Sequence, residues 1–152
     1  MTIILDTLHQ QHEVVKGIFQ KIKSAKDNSE KEQLFMELKN NLAPHMKGEE
    51  KYIYPALEDD EQYKEIVLHG FEEHHAAKLF LKELEGMSPA GERWDAKVGV
   101  LSDMIDHHVE SEESKIFKAA REYLSEEKMK DIGEKFESVT DKGKTIRLTR
   151  IN

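Results

Sequence analysis

The chain has 152 residues, a formal net charge of -8 at pH 7, 36% charged residues and no cysteine. Its length suits one domain with an apolar core. The acidic balance argues against nucleic acid or an anionic membrane as a partner, and the lack of cysteine excludes disulfides and thiolate chemistry. We find no membrane-spanning apolar run and no signal-peptide pattern in the sequence, so we expect a cytoplasmic protein.

Four segments carry core positions at alternating gaps of three and four, which is typical of amphipathic helices. These stripes run from Leu5 to Ile22, from Phe35 to Ala56, from Val67 to Leu84 and from Trp94 to Ala119. Turn-rich segments separate them, at residues 24–30, 58–62 and 85–92. The sequence therefore predicts an all-α protein, an antiparallel up-down-up-down four-helix bundle.

Two stripes contain irregular positions. Pro44 lies within the second stripe, where we expect it to kink the helix, and the same stripe places Tyr52 and Ala56 toward the core. Lys115 interrupts the fourth stripe, and Ile116 beside it can take the core position.

A short fifth helix is predicted after the bundle. Ser125 suits its N-cap, Glu126 and Glu127 suit its first turn, and we expect it to end near Phe136. The last residues, "KGKTIRLTRIN", are basic and alternate polar with apolar types; we favour a loosely held terminus over an extended arm or a partner contact. We thus divide the chain into a bundle at 1–124 and a short helix with a basic tail at 125–152.

One phrase occurs twice, first as "PHMKGEEKYIYPAL" at 44–57 and then as "HHVESEESKIFKAA" at 107–120. Aligning its histidines pairs His45 with His108 and Glu49 with Glu112. The His-x3-Glu spacing also occurs elsewhere in this glutamate-rich chain, but only these two pairs occupy core positions of their stripes. The off-stripe residues are predicted to be solvated or at the boundary: His9, Glu13, His69, Glu73, His75 and His107.

The other two helices each place one histidine on the core stripe, His12 and His74, at similar distances from the turns as the repeated pairs. An unpaired carboxylate in a core costs several kcal/mol, whereas a divalent cation would supply the missing charge. Imidazole and carboxylate ligands without sulfur suit iron, with manganese or zinc as alternatives. The sequence predicts two metals bridged by the two glutamates, held by His12, His45, Glu49, His74, His108 and Glu112.

At these residues the chain resembles the hemerythrin-like HHE cation-binding family, over roughly residues 3 to 124. The resemblance rests on "HMKGEEKYIYPAL" and "HVESEESKIFKAA", together with "HEVVKGIF" and "EHHAAKLFLKEL". It implies a four-helix bundle with a non-haem di-iron centre, oxo- or hydroxo-bridged, on the same six residues. Lys78 stands where the oxygen carriers of the family have a histidine. Those carriers also have an aspartate five residues after the last histidine, whereas here Glu112 stands four residues after His108 and Glu113 stands five after it. The loss of one imidazole opens a coordination position and weakens the case for reversible oxygen carriage.

Two classes of function remain open. The first is a binding or sensing protein for oxygen, nitric oxide or iron. The alternative is a di-iron peroxidase or catalase-like enzyme, which needs a proton donor beside the metals. The candidate donors are Tyr52, Tyr54, Tyr123, His75 and His107. A plain helical interaction module fits less well because it leaves two core glutamates unexplained. The sequence identifies no protein partner.

Overall fold

A computed structural model describes the backbone of residues 3–151 and the side chains of residues 3–139. The α-helices are α1 Ile3–Ser24, α2 Asn28–Gly48, α3 Tyr54–Glu58, α4 Glu61–Glu85, α5 Glu92–Ser111, α6 Phe117–Tyr123 and α7 Glu126–Ile151. Two π-helical turns, Glu49–Ile53 and Glu112–Ile116, join α2 to α3 and α5 to α6. The described backbone thus forms continuous helical segments without a strand, which confirms the all-α prediction. None of its helices is long and apolar enough to cross a membrane.

The predicted breaks coincide with the helix ends. Asp27, Asp60 and Ser125 each accept a hydrogen bond from a backbone N–H two or three residues later, at 2.8, 2.8 and 3.0 Å. Such side chains satisfy N–H groups that the first turn of a helix leaves without a partner. Pro44 does not end its helix, because α2 continues through it to Gly48.

Two apolar clusters form the core. One contains Leu8, Tyr54 and Phe136, and the other contains Phe35 and Trp94. In each of the four long segments, the predicted metal ligands lie between residues of the first cluster and residues of the second. A layer of buried histidines and glutamates therefore separates two apolar halves.

The π turns correct the predicted stripe. Tyr52 and Ala56, predicted to face the core, are only half-buried, whereas Ile53 and Leu57 are buried. In the first π turn the N–H of Tyr54 donates to the carbonyl of residue 49, five positions back, so the turn holds one residue more than an α-helical turn. That residue moves every later side chain by one position around the helix. The second turn repeats this shift and explains why the fourth stripe breaks at residue 115.

Helix α7 is longer than predicted. It begins after Ser125, as expected, but continues past Phe136 to Ile151, through a segment with no proline. Met129, Ile132 and Phe136 are buried in the first apolar cluster, so α7 contributes to the core. The side chains of the basic tail lie outside the described residues, and the prediction for its role stays a prediction.

Gly48 allows α7 to pack closely. A Cβ on this residue would lie 2.5 Å from Cε2 of the fully buried Phe136 ring. We expect Gly48→Ala to lower the free energy of unfolding by roughly 1–3 kcal/mol, since the ring must move out of a packed core. Urea unfolding measures this. The matched control is Gly99→Ala, where a Cβ meets nothing within 4 Å and alanine should stabilise the helix. A Gly48→Ala protein with the same free energy of unfolding as the Gly99→Ala protein would contradict the prediction.

Candidate metal centre

The structure brings all six predicted ligands together, and each is buried, with at most 6% of its surface exposed. Their ligand atoms form two groups, and within each group the atoms lie within 4.8 Å of one another. The first group contains His12 and His45, and the second contains His74 and His108; both groups include Glu49 and Glu112. We call them the His12/His45 half-site and the His74/His108 half-site.

Both glutamates lie between the half-sites. Glu112 places Oε1 3.0 Å from Nε2 of His12 and Oε2 3.2 Å from Nε2 of His108. Oε1 of Glu49 lies 3.4 Å from Nε2 of His45 and 3.1 Å from Nε2 of His74. Each carboxylate therefore contacts one histidine from each half-site, which is the arrangement of a bridging ligand.

The outer ring nitrogens of all four histidines have hydrogen-bond partners. Nδ1 pairs with Glu113 at 2.8 Å in His12, Gln11 at 2.6 Å in His45, Glu50 at 2.8 Å in His74 and Glu73 at 2.7 Å in His108. Because an ionised carboxylate only accepts hydrogen bonds, Nδ1–H is the donor in three of these pairs, and Gln11 Oε1 accepts in the fourth. Every Nε2 therefore faces the inside of the cluster, ready to bind a cation.

The inner atoms lack partners of their own. Among the described side chains, Nε2 of His45 and both carboxylate oxygens of Glu49 are buried without a well-aligned hydrogen bond. Nε2 of His74 lies 3.1 Å from Nε2 of His108, and these two atoms both act as acceptors whenever both rings are neutral. Burying unpaired polar atoms is costly, and cations bound between these atoms would satisfy all of them. The residues therefore fit a metal centre.

The two carboxyl groups differ in charge without metal. Burial and the nearby charge of Glu112 raise the pKa of Glu49 well above its usual range. The pKa of Glu112 is held well below its usual range, because the neighbouring Glu49 carboxyl group and the contacts with His108 and His12 outweigh its burial. Hydrogen bonds to Glu112 and Glu73 likewise outweigh burial at His108 and raise its pKa to about 9. Without metal, protons on Glu49 and His108 therefore supply part of the positive charge that the cluster needs.

Tyr54 contributes a further polar group. Its hydroxyl donates to Oε2 of Glu112 at 2.8 Å and lies 3.3 Å from Nε2 of His74. Burial raises the pKa of this phenol, so it stays neutral. The ring fits because Gly70 faces it, where a Cβ would lie 2.9 Å from the hydroxyl oxygen. The sequence offers Tyr54 as one of several candidate proton donors. The extra residue of the π turn, which a regular helical spacing does not predict, turns its side chain inward.

Sequence reasoning missed the outer partners Gln11, Glu50, Glu73 and Glu113. Glu73 was predicted to be solvated or at the boundary, and it is half-buried; its carboxylate accepts a hydrogen bond from His108, which was not predicted. The other off-stripe residues with that prediction are exposed: His9, Glu13, His69, His75 and His107. One signal was available, because every outer partner directly precedes or follows a predicted ligand in the sequence.

A cavity of about 380 Å³ lies beside the His74/His108 half-site, between α4 and the second π turn. The residues that line it include Tyr54, Glu73, His107, His108 and Glu112. The cavity therefore borders the cluster at His108 and Glu112.

A family model described as the hemerythrin HHE cation binding domain matches residues 3–120. Over 91% of its length the chain is 26% identical to a protein named DNA nickase from Nostoc sp., of which it spans 39%. Over 90% of its length it is 27% identical to an uncharacterized hemerythrin-like protein of Schizosaccharomyces pombe, of which it spans 68%. The crystal structure of a hemerythrin HHE cation binding domain-containing protein from Mycobacterium kansasii has a similar fold, with a TM-score of 0.79 at 22% identity, covering 96% of this chain and 90% of that one. The chain belongs to the hemerythrin HHE cation-binding domain family.

Proposed function

We propose that this protein binds two iron ions in the buried layer, one in each half-site, with Glu49 and Glu112 as the shared ligands. The remaining ligands would be His12 and His45 for one ion and His74 and His108 for the other. The observation that carries this proposal is the Glu49 carboxylate, which is buried among inward-facing imidazoles without a well-aligned hydrogen bond. We further propose that the four long helical segments form an antiparallel up-down-up-down bundle, because each passes between the two apolar clusters in the direction opposite to the one before.

Metal analysis tests the proposal directly. We expect protein produced with iron to contain two irons per chain, by mass spectrometry, and to absorb in the near-ultraviolet and visible range in air. We also expect the metal-loaded protein to melt at a higher temperature than the apoprotein, since a cation that binds only the folded state stabilises it. Failure to bind stoichiometric iron, manganese or zinc after reconstitution would overturn the proposal and favour a plain helical module.

We propose that the centre binds or senses a small molecule, such as oxygen or nitric oxide, or iron itself. Two irons with six protein side chains would supply redox chemistry and open coordination positions. Lys78 favours sensing over oxygen carriage, since its ammonium group binds Glu50 at 2.8 Å and adds no imidazole to the cluster. We retain a cytoplasmic location as part of this proposal.

A peroxide-consuming enzyme is the second candidate, and Tyr54 is the observation that favours it. A neutral phenol beside Glu112 and next to the cavity can hold a proton for transfer to a small molecule. We expect Tyr54→Phe to keep the full iron content and to slow peroxide consumption by roughly 10²-fold or more, measured as oxygen release or substrate oxidation. Tyr123→Phe, at a half-exposed ring, is the control. Equal rates for both variants would remove Tyr54 from the mechanism.

The name of the Nostoc relative does not lead us to propose DNA cleavage for this chain. The chain spans only 39% of that protein. Its formal net charge of -8 also disfavours contact with DNA phosphates.

A further inference from the structure

The internal repeat relates the two half-sites residue by residue, and several neighbours of the ligands differ between them. His12 corresponds to His74, and His45 corresponds to His108. The outer partners of His12 and His74 are Glu113 and Glu50. These two are equivalent, because each directly follows one of the two glutamates that the half-sites share. The two half-sites therefore agree in their inner ligands and in half of their outer partners.

The outer partners of the other two histidines are not equivalent. His108 donates to the Glu73 carboxylate at 2.7 Å, whereas His45 donates to the Gln11 amide oxygen at 2.6 Å. Gln11 and Glu73 occupy the same position of the repeat, directly before His12 and His74. An anionic partner makes an imidazole a stronger ligand than a neutral partner does.

The aromatic rings that stack beside the two half-sites also differ in polarity. Tyr54 stacks on His74 with ring centroids 5.3 Å apart, and its repeat equivalent Phe117 stacks on His12 at 6.2 Å. Tyr54 brings a polar hydroxyl to its half-site, whereas Phe117 brings none. The equivalent of Gly70, which makes room for Tyr54, is the buried Leu8. The His74/His108 half-site is therefore the more polar of the two.

Basic neighbours do not cancel this difference. Lys78 binds Glu50 at 2.8 Å, and His9 binds Glu113 at 2.9 Å, so each equivalent outer glutamate has a basic partner. The exchange of Glu73 for Gln11 therefore remains as the main difference in charge between the half-sites.

We propose that the two half-sites bind metal with unequal affinity and that the His74/His108 half-site fills first, with Glu73 and Gln11 as the positioning residues that set the order. This inference rests on the proposed function, since it requires the cluster to bind two cations. It adds a defined sequence of loading: the first ion binds at the half-site beside Tyr54, and the second binds at the half-site beside Phe117.

Zinc titration of the apoprotein tests the order, with nuclear magnetic resonance of ¹⁵N-labelled histidine as the readout. After one equivalent of zinc, we expect the ring signals of His74 and His108 to move while those of His12 and His45 keep their positions. The second equivalent should then move the remaining pair. Simultaneous movement of both pairs from the start of the titration would overturn the inference while leaving the proposed function intact, whereas absence of any movement would contradict the proposed function.

Two matched variants test the cause of the order. Gln11→Glu gives both half-sites a carboxylate and should raise the affinity of the later step about tenfold, measured by competition with a chelator. Glu73→Gln gives both half-sites an amide and should lower the affinity of the first step by about the same factor. Circular dichroism of each apoprotein controls for folding. Unchanged affinities in two folded variants would remove these residues as the cause.

Discussion

The Glu49→Gln protein should fold as stably as the native apoprotein and yet lose its affinity for both metal ions. Glutamine keeps the size of the side chain but removes the charge of a shared ligand, so we expect an affinity loss on the order of 100-fold or more. The apoprotein should change by less than about 1 kcal/mol, because burial and Glu112 already favour the neutral form of Glu49. Iron content by mass spectrometry and urea unfolding of the apoprotein measure the two effects.

Two further variants make this test specific. Glu13→Gln alters a His-x3-Glu pair of the same spacing whose glutamate side chain is 59% exposed, and it should keep both metals. Glu112→Gln should lose the metals and also destabilise the apoprotein by roughly 1–3 kcal/mol, since the ionised Glu112 accepts a hydrogen bond from Tyr54 and contacts His12 and His108. Full iron content in Glu49→Gln would disprove the ligand set.

Metal binding at pH 7 should release protons, and His108 should contribute one of them. Its pKa of about 9 keeps it charged at this pH, and burial raises the pKa of Glu49 in the same sense. Burial lowers the pKa of His45 and of His74, and hydrogen bonds lower that of Glu112, so none of these three holds an extra proton. Calorimetric titration in buffers of different ionisation enthalpy counts the protons, and metal affinity should fall as the pH is lowered from 7.

The proton on His108 contributes to stability and to proton release only over a defined pH range, and this range serves as a control for the proton count. Its pKa in the folded protein lies above the ordinary value of 6.5, so its protonated form contributes stability that is complete below pH 6.5 and is lost as the pH rises through about 9. Proton release should therefore decline by about one above pH 9. The apoprotein should also melt at a lower temperature there than at pH 6.5. A release that does not change between pH 7 and pH 9.5 would contradict this assignment.

The meeting of the six ligands was predictable because helical spacing and distance from the turns together locate a side chain in three dimensions. His74 was correctly preferred to His75, since it alone lies on the stripe, and the structure buries His74 and exposes His75. The family resemblance agreed with this result but was not needed for it.

The features of the site that the sequence did not predict share one physical reason. A stripe with gaps of three and four assumes a constant helical period, and each π turn adds one residue to it. The inward placement of Tyr54 and the half-buried position of Tyr52 follow from that residue, so neither could be predicted from spacing alone. The outer partner Glu73 lies one position off the stripe, where spacing predicts only a boundary residue, and its contact with His108 depends on how closely α4 and α5 pack.

Both copies of the repeated phrase contain the additional residue at the same place, in the turn that begins with Glu49 and in the turn that begins with Glu112. The additional residue shifts the core positions that follow it by one residue in each copy. The two copies therefore share the spacing of His and Glu and also the backbone irregularity that follows it. Deleting one residue from either turn would return the later side chains of that copy to the regular stripe.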